Sequence, residues 1–329
     1  MMAIRSYPFF LLLAVVSALV PGLTLAASSA YVQTTENLDL HHVHFAITAP
    51  PEVVSRLSAR ARSRFAQAGL TLGDPDGRDK TPIATLTLTL SARPLTETCP
   101  GHVLYTPSLT LSEPVMITRN ATLMNDVTWI AHTGPQVREP VTVLDLEQDL
   151  DTFIEQFIAD YRTANAGVHH SNSDSIPTVS QTDLPPSGSV TGEPEKIYPD
   201  AGLKELRADQ FRISISGGRF TQALTTRALQ QFSDAGYPLK PSHGQDNQVT
   251  LGVELTQRTL EDRCPGKVLY ESGLYLVEQV QLARNRRVSI WSDTWLRETT
   301  QVVTPRSQQQ LESDQDALLR QFIDSLHSH

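Results

Sequence analysis

Apolar and polar residues along this chain repeat with two periods, and each period appears twice. Val43, Phe45 and Ile47 alternate with other residues, as do Phe211, Ile213 and Ile215. That spacing predicts a strand with one buried face. Each strand runs into a turn, Ala49-Pro50-Pro51 in one place and Gly217-Gly218 in the other. A helical period follows: Val53, Leu57, Ala61 and Phe65 fall four apart, and Phe220, Leu224, Ala228 and Phe232 repeat the stripe. Gly69 and Gly236 stand where a helix ends in the left-handed conformation. Alternation then returns, with leucine on one side and threonine on the other from Thr85 to Leu90.

The repetition extends to identical segments. Cys99-Pro100-Gly101-His102-Val103-Leu104-Tyr105 reappears as Cys264-Pro265-Gly266-Lys267-Val268-Leu269-Tyr270. Leu109, Leu111, Glu113, Val115, Ile117, Arg119 and Asn120 match Leu274, Leu276, Glu278, Val280, Leu282, Arg284 and Asn285. Thr128-Trp129 matches Thr294-Trp295, and Gln156-Phe157-Ile158 matches Gln321-Phe322-Ile323. The spacing far exceeds the period of a stacked solenoid, so the pattern reads as a tandem duplication of a whole domain.

Each copy therefore reads β-α-β-β-β-α. The Pro-Gly after each cysteine suits a tight turn, and a last helix is marked by Leu146, Leu150, Phe153 and Phe157 or by Leu311, Leu318, Phe322 and Leu326. The expected class is α+β: a two-layer α/β sandwich in each copy, with a mainly antiparallel four-stranded sheet and two helices on one face. The expected boundaries are 38–164 for the first copy and 205–329 for the second. Between them, residues 165–204 lose periodicity and include Pro185-Pro186-Ser187-Gly188-Ser189, the composition of a flexible linker. The element order resembles that of small domains in envelope lipoproteins that assist lipid and lipopolysaccharide transport. The resemblance is one of topology.

The N-terminus changes the picture by fixing a compartment. Arg5 precedes an apolar run from Phe9 to Val20, Pro21-Gly22 breaks it, and Thr24-Leu25-Ala26 offers small residues for cleavage. This is the pattern of a signal peptide over residues 1–26. The run is too short to span a bilayer, so the processed chain is expected to be periplasmic or secreted and not membrane-spanning. A composition of 40% hydrophobic and 19% charged residues is that of a folded protein. The net charge of −9 argues against nucleic acid as a partner.

Candidate chemistry is sparse. Cys99 and Cys264 sit in equivalent turns, and an exported protein keeps disulfides. They either bridge the copies, remain free, or pair between chains. His41, His42 and His44 form a histidine run, with His42 and His44 on one strand face, but the second copy has no counterpart and no further ligand group is visible. Glu113 and Glu278 are charges in phase with buried positions, and Arg119 and Arg284 share that phase. They form ion pairs or reach solvent, or else line a cleft as equivalent carboxylates. Trp129 and Trp295 occur in both copies and read as core. Trp291 has no counterpart and lies beyond Arg286 and Arg287, where the first copy has Ala121 and Thr122. That divergent turn is the candidate interaction surface.

No nucleophile elbow, zinc-protease helix, phosphate-binding loop or dinucleotide fingerprint occurs. The expectation is a non-enzymatic binding or adaptor protein of the cell envelope without a cofactor. Its partner would be an envelope protein or a small anionic or lipid-like ligand. The alternative is an exported metal- or redox-handling protein using the histidine run and the two cysteines.

Overall fold

The computed structural model describes residues 34–73, 84–166, 200–207, 210–237, 239 and 249–328. The expected signal peptide and most of the expected linker lie outside these residues.

The two periods of the sequence become strands and helices in the expected order. In the first half β1 (Val43–Thr48) leads into α1 (Pro51–Gln67), and β2 (Ala84–Pro94), β3 (Val103–Ile117) and β4 (Leu123–His132) follow. A short β5 (Gln136–Arg138) precedes α2 (Val143–Ala164). The second half repeats this as β6 (Phe211–Ser216), α3 (Thr221–Asp234), β7 (Val249–Thr259), β8 (Val268–Leu282), β9 (Asn285–Val303) and α4 (Gln308–His327). Even the irregularities correspond. The first strand of each half runs parallel to the second, and a bulge follows Leu111 in one half and Leu276 in the other.

Each half has its own core, because the apolar stripe of each helix needs a covering layer. Leu57, Ala61 and Phe65 of α1 and Leu150, Phe153 and Phe157 of α2 pack on Leu86, Leu88, Leu109, Leu111 and Trp129. Leu224, Ala228 and Phe232 of α3 do the same with Leu251, Val253, Leu276, Trp295 and Phe322. Trp129 and Trp295 are thus core residues, set edge-on against Phe157 and Phe322. The helix starts follow from local sequence: Thr142 with Asp145, and Ser307 with Gln310, form reciprocal capping boxes.

The sheets differ from expectation. Instead of a separate four-stranded sheet in each copy, the strands form one nine-stranded mixed sheet, ordered β1-β2-β3-β8-β7-β6, with β4 and β5 also on β3 and β9 also on β8. This overturns the reading of two small sandwiches. Strand length explains it. The pairing of β2 on β3 stops at Ser112, and that of β7 on β8 stops at Val277. The last residues of β3 and β8 would be left with an open edge. They pair antiparallel with each other, Val115 opposite Leu282 and Ile117 opposite Val280. Around this junction Val115, Ile117, Met124, Val280, Leu282 and Ile290 form a further small core contributed by both halves.

The ends of the expected linker are also built into the fold. Asn165 caps α2 and donates through its amide to the Thr35 and Tyr161 carbonyls. Leu203, in a short 3-10 turn at Asp200–Leu203, is buried in the second core. Among the described residues no helix is long and apolar enough to cross a membrane.

Candidate functional site

The in-phase charges turn out to be exchanged between the halves. Arg284 donates to Glu113 at 2.5 Å, and Arg119 donates to Glu278 at 3.0 Å. Glu113 and Glu278 are 1% and 2% exposed, a depth at which an unpaired carboxylate is costly. Each is further satisfied by a hydroxyl one strand away, Thr128 to Glu113 at 2.5 Å and Thr294 to Glu278 at 2.6 Å. Each arginine also holds the segment leading into the opposite half. Arg119 donates to the Gly202 and Lys204 carbonyls at 2.6 and 2.8 Å. Arg284 donates to the carbonyls of Thr34 and Glu36. Each ion pair thus joins one half of the chain to the other.

At the far end of β2 and β7 a second exchange occurs, one that the sequence reading missed. Arg93 donates to the Thr300 carbonyl at 3.0 Å, and Arg258 donates to the Pro135 carbonyl at 2.6 Å. Each of these arginines stands six residues before a cysteine, a repeated spacing that was visible in the chain. Beyond them Cys99 and Cys264 form a disulfide with Cα atoms 5.6 Å apart. It is buried among Leu95, Leu104, Val137, Leu269 and Val302. Of the three possibilities for the thiols, the bridge between copies is the one found. Beside it lies an open cavity of about 410 Å³ lined by His102, Gln136, Arg138, Glu139, Asp262 and Arg263.

Potential metal ligands gather around the two cysteines of the metal-handling alternative and not around the histidine run. His41 and His42 lie in a 3-10 turn before β1, so the run does not present two histidines from one strand face. His41 is exposed, and His42 lies 3.2 Å from the Asp39 carboxylate. Among the described residues, the group whose ligand atoms converge is Cys99, His102 and Cys264, all within 4.8 Å of one another. In the oxidised protein the two sulfurs are consumed by the disulfide.

Two further features involve buried acids. Asp126 of β4 is 2% exposed, and its Oδ2 has no hydrogen-bond partner among the described residues. Burial pushes this carboxyl up to about 8; the nearby Ser292 hydroxyl opposes the shift and the Asp293 charge adds to it. The Ser292 hydroxyl itself points toward the Val127 carbonyl at 3.5 Å. On β7 and β8, Glu254 and Glu271 are raised above the ordinary carboxylate range by burial. Glu298 raises both further, while Arg258 holds Glu271 back. The matching positions of the first half are Thr89 and Thr106, so this acidic face belongs to the second half alone.

Arg286 and Arg287 are exposed at the start of β9, and Trp291 is half-buried opposite Gln279.

No family model matches the chain, and no curated protein matches it. Several solved structures do match over about a third of its length. One is a minor lipoprotein from Acinetobacter baumannii, 13% identical, covering 35% of this chain and 91% of that one, with a TM-score of 0.19. Another is a dodecamer of a PelC point variant from Paraburkholderia phytofirmans, 14% identical, covering 39% and 92%, with a TM-score of 0.21. An uncharacterized protein is 11% identical over 36% and 94%, also with a TM-score of 0.21. At these scores the likeness carries no argument about function.

Proposed function

We propose that this chain is an exported protein of the cell envelope that works by binding, with its second half facing the partner. The buried disulfide between Cys99 and Cys264 carries the reading. A bridge of this kind persists in an oxidising compartment and not in a reducing cytosol. The signal-peptide pattern of residues 1–26 agrees with it.

What supports binding over catalysis is the use made of the buried charges. Glu113 and Glu278 are each held by an arginine and a threonine, the environment of structural ion pairs and not of a general acid or base. The partner-facing surface is assigned to Arg286, Arg287 and Trp291. Two exposed guanidinium groups at the start of β9, with a half-buried indole farther along the same strand, suit an anionic envelope protein or a small anionic or lipid-like ligand.

The full chain, expressed with its own N-terminal segment and taken from a periplasmic fraction, should resist alkylation at both cysteines until reduced. Two alkylatable thiols in that fraction would sink the compartment assignment. For the surface, the triple variant Arg286→Ala, Arg287→Ala, Trp291→Ala is compared with the parent chain in a pull-down from envelope extract. Loss of partners at unchanged thermal stability supports the assignment, and identical partners at unchanged stability remove it.

A further inference from the structure

We infer that reducing the bridge between the halves turns it into a divalent-metal site made of Cys99, Cys264 and His102. The inference is independent of what the chain binds at the β8–β9 turn.

The geometry supplies three ligands of the right kinds. The two sulfurs and a ring nitrogen of His102 already lie within 4.8 Å of one another. A tetrahedral zinc site holds thiolates at about 2.3 Å and imidazole at about 2.0–2.1 Å, which puts its ligand atoms ~3.6–3.8 Å apart. The ring therefore needs to close by about 1 Å, and the freed sulfurs to move apart by ~1.7 Å from an ordinary S–S bond, within reach of side-chain rotation.

The backbone that carries the ligands is fixed on both sides. Cys99 N–H donates to the Leu95 carbonyl at 2.8 Å and His102 N–H to the Cys99 carbonyl at 3.2 Å. Gly101, at φ +83°, allows the turn that brings His102 back beside the sulfur. The second half holds Cys264 in the same turn, with Lys267 in place of the histidine. His102 Nδ1 lies 3.4 Å from the Pro100 carbonyl. With the proton on that nitrogen, Nε2 is the one left for a metal. His102 lines the open cavity together with Asp262, Glu139, Arg138 and Arg263, so a water or a carboxylate from that lining would fill the fourth position beside it.

The chemistry balances in two steps. A dithiol or phosphine reductant supplies two electrons, and with two protons the S–S bond becomes two thiols. Binding a divalent cation then releases two protons and forms two metal–thiolate bonds. Disulfide and metal are alternatives at one locus, so the site forms only when a reductant reaches it.

The test uses the full chain, reduced with a phosphine and desalted without oxygen, then titrated with cobalt(II). One cobalt per chain is expected, with a thiolate-to-cobalt charge-transfer band that zinc(II) abolishes. The oxidised chain should show no band. His102→Ala should weaken binding at least tenfold, because one of three protein ligands is lost, whereas Lys267→Ala and a triple His41→Ala, His42→Ala, His44→Ala variant should titrate like the parent. Circular dichroism accompanies each titration. A reduced chain without the band overturns the inference. A band indifferent to His102→Ala also overturns it, since that is binding by a bare dithiol, folded or not.

Discussion

Replacing Asp126 by asparagine should make the protein progressively more stable, relative to the parent, as pH rises. In the folded chain this carboxyl is buried with Oδ2 unpartnered among the described residues, and it titrates at about 8. In the unfolded chain an aspartate titrates near ~3.9. The folded state therefore binds the proton more tightly. Stability from this group is greatest below the unfolded value and is lost as pH climbs toward about 8, because only the unfolded chain gains by ionising. Each pH unit inside that window costs about 1.4 kcal/mol, so moving from about pH 5 to about pH 7 costs ~2.7 kcal/mol. Asparagine escapes the cost and keeps the nearby acceptor, since Val127 N–H donates to Asp126 Oδ1 at 2.7 Å and an amide oxygen can replace it. Urea unfolding of both oxidised proteins at the two pH values gives the difference directly, and groups common to both cancel. The gap between variant and parent should widen by about 2–3 kcal/mol. A gap that stays constant, or narrows, refutes the assignment of Asp126 as a buried neutral acid.

The exchanged ion pairs and the bridge give three more expectations. Arg284→Ala leaves Glu113 buried and uncompensated and should cost about 3–5 kcal/mol. In a double-mutant cycle with Glu113→Gln the costs should fall well short of additive; strict additivity would mean that the two side chains do not interact. Replacing both cysteines by serine opens a loop of sequence separation 165, worth about 5 kcal/mol in the chain-entropy picture, and the thermal midpoint should drop accordingly. With a protease site engineered between residues 167 and 199, the cut chain should run as one species without reductant and as two with it under denaturing conditions. In native buffer it should stay associated through the β3–β8 junction after mild reduction. Native separation on reduction alone would show that the shared sheet contributes little to holding the halves together.

Much of this architecture was legible along the chain, because short-range patterns set it. The leucine–threonine alternation from Thr85 to Leu90 and the four-residue stripe Val53, Leu57, Ala61, Phe65 specify β2 and α1 without reference to the other copy. Comparing the two copies also isolated Cys99 with Cys264, the tryptophan pair, and the charges Glu113, Arg119, Glu278 and Arg284. What the chain could not state was the partner of each. Periodicity shows which residues face inward but carries no distance, so an arginine in phase with a glutamate of its own strand looks like that glutamate's partner. Only the antiparallel joining of β3 to β8 turns Arg119 toward Glu278 and Arg284 toward Glu113. The same join merges two expected sheets into one, because the free edges beyond Ser112 and Val277 satisfy their backbone groups against each other. Local sequence thus determined the elements and their faces. Long-range edge pairing decided the sheet, the exchanged ion pairs and the meeting of Cys264 with the Cys99–His102 turn, since each depends on residues more than a hundred positions apart meeting in space.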